Sequence, residues 1–137
     1  MTTGFKYLDQ MTSGLQKSDL IILAARPAMG KTAFALSLAL NAAVKGKASV
    51  MVFSMEMAKE QLGQRLLSME SKVPMQSLKT GKLERRDWDD INIALDILSK
   101  ANIHIDDTAG INIMEMKSKC RRLKAEEGLD LIVIDYL

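Results

Sequence analysis

The chain has 137 residues, enough for a single domain with one real core. Its 47% hydrophobic and 26% charged content excludes a disordered or fibrous chain. The balance of 19 Lys and Arg against 17 Asp and Glu leaves a formal charge of +2, which does not mark a wholesale nucleic-acid binder but leaves room for a local basic patch. The single Cys120 excludes an internal disulfide framework and a cysteine zinc cluster. With no apolar run near the roughly 18–20 residues that span a bilayer, the expectation is a soluble, cytoplasmic domain with no membrane partner.

Taken in chain order, short apolar runs alternate with helical periodicity, the pattern of an α/β domain with a largely parallel sheet flanked by helices. Leu20-Ile21-Ile22-Leu23-Ala24-Ala25 reads as a buried strand. A helix follows from about Lys31 to Lys45, apolar nearly all round and stopped by Gly46. Ser49 to Ser54 is the next strand. Leu62, Leu66 and Met69 mark one face of a helix that ends ahead of Pro74. Trp88, Ile91, Leu95 and Leu98 stripe another helix at spacings of three, four and three. Ile103 to Asp106 is a short strand. Ile113, Met116, Cys120 and Leu123 stripe a further helix, ended by Gly128, and Leu131 to Ile134 is a strand that runs into Asp135. Only Pro27 and Pro74 punctuate the chain, so no linker divides residues 1–137.

The junction of the first strand and first helix carries the chemistry. Arg26-Pro27-Ala28-Met29-Gly30-Lys31-Thr32 fits GxxxxGK[ST] apart from its leading position, where Ala25 replaces glycine. Gly30 lets the backbone approach a phosphate closely. Amides from Ala28 through Ala33 can face anionic oxygens at the positive end of the following helix. Lys31 would reach the β and γ phosphates of a nucleotide, and the Thr32 hydroxyl would hold Mg²⁺. Asp135, at the end of a buried strand, supplies a carboxylate on the metal side. Strand C-termini of a parallel sheet share the edge where ligands bind, so Glu56, just past the second strand, shares that edge. It is the candidate base that polarises water; the alternative is an acid placed to suit the dipole of the next helix.

Other groups have bland readings that outweigh the functional ones. His104 and Cys120 each stand alone on apolar elements and read as structural. The ten methionines and Trp88 read as core before recognition surface. Asp106 and Asp107 read as turn and cap residues ahead of a metal's outer shell. The run Lys117, Lys119, Arg121, Arg122 and Lys124, interleaved with acids, reads as a solvated or subunit-facing helix edge ahead of a phosphate contact.

Several segments together resemble a known family. Thr3-Gly4-Phe5-Lys6-Tyr7-Leu8-Asp9, Gly14-Leu15, Asp19-Leu20 and the loop from Ala25 to Thr32 are similar to the RecA-like motor domain of bacterial DnaB-type replicative helicases. Phe53-Ser54-Met55-Glu56-Met57, Ile105-Asp106-Asp107-Thr108, Cys120-Arg121-Arg122-Leu123 and Leu131-Ile132-Val133-Ile134-Asp135-Tyr136-Leu137 extend the likeness over essentially the whole chain. Ser18, where the family often has glycine, departs from it.

The resemblance implies a RecA-like P-loop NTPase fold ending just after the Walker B strand, with residues 1–137 as a partial motor domain. It further implies an ATP- and Mg²⁺-dependent homohexameric ring that unwinds duplex DNA at the replication fork by translocating on single-stranded DNA, with a primase and a helicase loader as partners. Glu56 would be its catalytic glutamate and Lys31 its phosphate lysine. The polarising Gln, the DNA-contacting loops and the arginine finger would follow Leu137, so these 137 residues alone would bind nucleotide without efficient turnover. In the family's sheet a further strand separates the Walker A and Walker B strands, so Leu20–Ala25 and Leu131–Ile134 are expected not to pair directly. The alternative is a RecA-like ATPase of a regulatory or signalling class that uses ATP to control assembly.

Overall fold

A computed structural model describes residues 1–26 and 29–136. Its elements are α1 (Lys6–Thr12), α2 (Lys31–Val44), β1 (Val50–Ser54), α3 (Lys59–Ser71), α4 (Met75–Thr80), α5 (Arg85–Lys100), β2 (Ile103–Asp106), α6 (Ile113–Glu126) and β3 (Leu131–Asp135). The unbroken Val-Met-Val-Phe run of β1 is buried at every position, as a strand covered on both faces must be. β1 pairs in parallel with β2, from Val50↔Ile103 to Phe53↔Asp106. It pairs in parallel with β3, from Val50↔Leu131 to Ser54↔Asp135. The sheet order is therefore β2-β1-β3.

Alternation along β1 divides the core in two. Val50 and Val52 pack with Leu36 and Leu40 of α2 and Leu62 and Leu66 of α3. Met51 and Phe53 point the other way, into a cluster with Ile111 and Met116, against which Cys120 and Leu123 of α6 are packed. Helices thus flank both faces of a parallel sheet, the architecture read from the apolar runs.

Three details differ from the sequence reading. Leu20–Ala25 is not a strand: Leu20 to Leu23 are exposed, Leu20 at 89%, and no ladder includes them. A strand exists only against a partner, and β3 turns its single ladder toward β1. Leu20 to Leu23 instead line, with Leu131 to Tyr136, a cavity of about 380 Å³. The two runs do not pair directly, as the family's strand order expects.

The second difference lies in the helix stripes. On α5 the residues buried against α3 are Ile91 and Ala94, while Trp88 and Leu95 are 52% and 50% exposed. Leu98 of the same stripe packs against the core cluster, so the buried face runs through Ile91, Ala94 and Leu98 and leaves Trp88 and Leu95 at its edge. Trp88 is therefore not a core residue. Ile113, at the first position of α6, is likewise exposed, and the buried face starts at Met116.

The third difference is two short helices that periodicity did not reveal. α4 is a six-residue helix begun at Pro74 and closed by Gly81 in the left-handed region. α1 is held by local polar bonds: the Asp9 carboxylate accepts from the Thr3 N–H and the Thr3 hydroxyl, each at 2.8 Å. The same segment grips α2. Asn41 Nδ2 donates to the Thr3 carbonyl at 2.9 Å, and the Phe5 and Phe34 rings stack with centroids 5.1 Å apart. A Cβ on Gly4 would fall within 2.0 Å of the Asn41 amide, and its φ is +82°, so glycine is required there.

Among the described residues no helix is long and apolar enough to cross a membrane. The buried face of α5 has a measurable consequence. Ile91→Ala should lower stability by about 2–5 kcal/mol, whereas Leu95→Ala should change it by less than about 1 kcal/mol. Urea unfolding of both variants checks this; equal losses would restore the Trp88–Leu95 stripe as the buried face.

Candidate functional site

The site forms where the start of α2 meets the end of β3. Gly30 is the residue before α2, with φ +80° and ψ +24°, and no side chain caps the helix there. The first amides of a helix lack intrahelical partners, so an uncapped start with the positive end of a 14-residue helix behind it favours an anion. A Cβ on Gly30 would meet nothing within 4 Å. The glycine is needed for its left-handed backbone, and the space above it is open. Ala28 lies outside the described residues. The Met29 N–H donates to the Arg26 carbonyl at 3.2 Å, so this amide closes the loop here rather than joining the amides at the helix start. Lys31, Thr32 and Ala33 are the first three helical residues.

β3 delivers Asp135 to these residues. Leu131 and Val133 pack on the α2 side of the sheet, and the same alternation sends Asp135 to that side, where it is buried. Thr32 Oγ1 donates to Asp135 Oδ2 at 2.8 Å. Lys31 Nζ lies 3.5 Å from Asp135 Oδ1 and 4.5 Å from the centroid of the Tyr136 ring. A hydroxyl and a carboxylate oxygen within one hydrogen bond of each other form a hard oxygen pair. That donor chemistry suits Mg²⁺, which takes few protein ligands and keeps several waters. The residues fit the metal as well as the anion.

Glu56 stands on the same sheet edge. It follows β1, and the Met55 N–H donates to the Asp135 carbonyl at 2.7 Å, holding the two strand ends together. Glu56 is exposed and precedes the first residue of α3 by three positions. The first-turn acid of α3 is Glu60, so the helix-dipole explanation for Glu56 weakens.

The remaining acids on this edge have structural partners. Asp107 accepts from the Lys59 N–H at 2.8 Å and so caps α3. Asp106 is bonded by the Lys119 ammonium and by the Thr108 N–H at 2.9 Å. Burial alone would raise the Asp106 carboxyl, but bonds from Lys119 and Thr108, with the ammonium charge, bring it from 3.8 down to about 2. Lys119 is thereby taken out of the basic run on α6. His104 Nε2 lies 3.1 Å from Glu127 Oε2, and burial pushes the Cys120 thiol up, away from nucleophilic use.

Sequence reasoning missed Tyr136 as a partner of Lys31. Its one signal was an aromatic residue directly after the strand-end carboxylate.

The family model described as "DnaB-like helicase C terminal domain" matches residues 1–137. The chain belongs to this family. It is 54% identical over 135 residues to the replicative DNA helicase DnaB of Geobacillus stearothermophilus, a match that takes in 98% of this chain and 30% of that protein. It is 53% identical over 135 residues to the replicative DNA helicase DnaC of Bacillus subtilis (strain 168), again over 98% of this chain and 30% of the relative. The chain thus spans under a third of the length of these curated relatives. Among solved structures, one described as an ATPase domain superposes with a TM-score of 0.92 at 35% identity, over 98% of this chain and 49% of that one. A DnaB-like replicative helicase, described with its interactions with primase, superposes at 0.91 and 35% identity, over 98% of this chain and 34% of that one. The fold of this family member is therefore that of the DnaB-like ATPase domain, RecA-like in its parallel sheet and flanking helices.

The Asp106–Lys119 pair links the end of β2 to α6 and gives the domain an acid-sensitive bond. A depressed carboxylate contributes stability that is present above its unfolded value near 4 and is lost as pH falls through about 2. Asp106→Asn should cost on the order of 1 kcal/mol at pH 7, since the ammonium is partly exposed and screened. The difference from native should shrink between pH 4 and pH 2 in unfolding titrations. A difference that stays constant down to pH 2 would show that the ion pair contributes nothing.

Proposed function

We propose that the start of α2 and the end of β3 form the nucleotide site of an ATP-hydrolysing motor, part of a replicative DNA helicase. The observation that carries this reading is the meeting of Thr32, Lys31 and Asp135, with Thr32 and Asp135 103 residues apart in the chain. The amides from Gly30 to Ala33 at the uncapped helix start receive phosphate oxygens, with the Ala28 amide as a further donor read from the sequence. Met29 contributes once its bond to Arg26 opens. Lys31 places its ammonium on the β and γ phosphates. Thr32 would hold Mg²⁺ directly and Asp135 through water. When bound, the metal neutralises charge developing on the phosphates. Glu56, on the same edge and open to solvent, orients the attacking water and accepts its proton.

The wider reading follows from the family. The motor works as a homohexamer, on single-stranded DNA at the replication fork, in the cytoplasm, with a primase and a helicase loader as partners. A solved relative described with its interactions with primase supports the first of these partners. The chain spans 30% of the length of its curated relatives, so the activity proposed is that of the whole protein. A regulatory or signalling RecA-like ATPase is the weaker alternative, since the relatives compared are replicative helicases.

Two variants in the full-length protein test the assignment. Lys31→Ala should weaken Mg–ATP binding by about 100-fold or more, in line with loss of a desolvated charge-assisted bond. Glu56→Gln should keep affinity within a few-fold while steady-state hydrolysis falls by about 10²–10⁴, as for loss of a general base. Unchanged affinity in the first variant would remove the phosphate assignment, and near-normal turnover in the second would return Glu56 to a surface role.

A further inference from the structure

Lys31 is turned toward the end of β3. Its ammonium is held between the Asp135 carboxylate, 3.5 Å away, and the Tyr136 ring, 4.5 Å from the centroid. The other Asp135 oxygen accepts from Thr32. Both side chains that would meet a nucleotide are therefore tied to one buried carboxylate, whose side chain is only 9% exposed. A phosphate can take Lys31 only if Asp135 gives it up. The carboxylate would then stand buried and negative beside the phosphate charge, an arrangement that is strongly unfavourable without a replacement cation.

We propose that Tyr136 is a positioning residue that holds Lys31 on Asp135 in a resting clasp, and that this clasp sets how strongly nucleotide binding depends on the divalent cation. The inference rests on the nucleotide reading of the same loop and goes beyond it. Asp135 exchanges one cation for another: it releases the ammonium to the phosphates and keeps its charge balanced by the metal held with Thr32. Without metal the exchange is incomplete, and the clasp competes with the nucleotide. Tyr136 strengthens the resting side of the competition, because its ring face attracts the ammonium in a site where Asp135 is largely out of water.

Calorimetric titration of ADP into the full-length protein, once with Mg²⁺ and once with EDTA, reads this directly as a ratio of two dissociation constants. In the native protein the ratio should be large. Asp135→Asn keeps a hydrogen-bonding side chain but removes the charge. It should tighten metal-free ADP binding by about tenfold and abolish most of the gain from Mg²⁺, as expected when a close charge pair is uncoupled. Tyr136→Leu keeps bulk but removes the ring face, and should tighten metal-free binding by about two- to fivefold, while Tyr136→Phe should restore the native ratio. A purely space-filling Tyr136 would leave the ratio unmoved in the Leu variant. Unchanged metal-free affinity in both Asp135→Asn and Tyr136→Leu, with native ADP–Mg²⁺ binding intact, overturns the clasp alone. Absence of ADP–Mg²⁺ binding in the native protein overturns the nucleotide reading and the clasp together.

Discussion

Asp135 ends β3 inside the protein, where a bare carboxylate would be costly to hold. It is kept there by the Thr32 hydroxyl and the Lys31 ammonium, two groups on the first turn of a helix more than a hundred residues earlier in the chain. This contact joins the end of the sheet to the start of α2. Much of the rest of the fold can be understood as the means of bringing those two ends together. β1 lies between β2 and β3, so its two ladders set the height at which β3 ends. The bond from the Met55 N–H to the Asp135 carbonyl then fixes that end beside the exit of β1, where Glu56 stands.

α2 is positioned from both sides. Its inner face, with Leu36, Ala39 and Leu40, packs on Val50 and Val52. The run of small and branched residues lets the helix lie close to the strands. Its other side is gripped by the N-terminal segment, through Asn41 to the Thr3 carbonyl and Phe34 to Phe5. Asp9 makes that segment a rigid clamp by collecting the Thr2 and Thr3 donors, and these bonds hold its carboxyl below the usual range. A helix fixed along its length can present an uncapped first turn without fraying. An anion site needs that property, since its donors must already point at the ligand.

Much of this was legible in the residues, and the places where it was not have physical causes. The Gly30-Lys31-Thr32 tripeptide, the all-apolar Val50–Phe53 run and the strand ending in Asp135 each declare their structure locally, because backbone conformation and burial there depend on nearby residue types. Leu20–Ala25 is as apolar as any of them but forms no ladder, because strand formation is decided by a partner and not by the run itself. The α5 stripe was right at Ile91 and Leu98 and wrong at Trp88 and Leu95, since the buried Ala94 is too small to count in an apolar stripe. Asp106 and Asp107 could not be told apart by type. One pairs with Lys119 and the other caps α3, and only the fold says which. Tyr136 was legible as part of a family segment, but its place over Lys31 depends on how β3 meets α2.

On this reading Thr32 and Asp135 together make a cation site that is completed by nucleotide. Crystals of the full-length protein grown with ADP and Mn²⁺ test it most directly, because Mn²⁺ is located by its anomalous scattering. The expected result is a peak at coordination distance from Thr32 Oγ1, close to the roughly 2.0–2.1 Å of Mg²⁺ on oxygen, with Asp135 joined through a water and Lys31 moved to the phosphates. A nucleotide bound with Mn²⁺ elsewhere, and Lys31 still resting on Asp135, would contradict it.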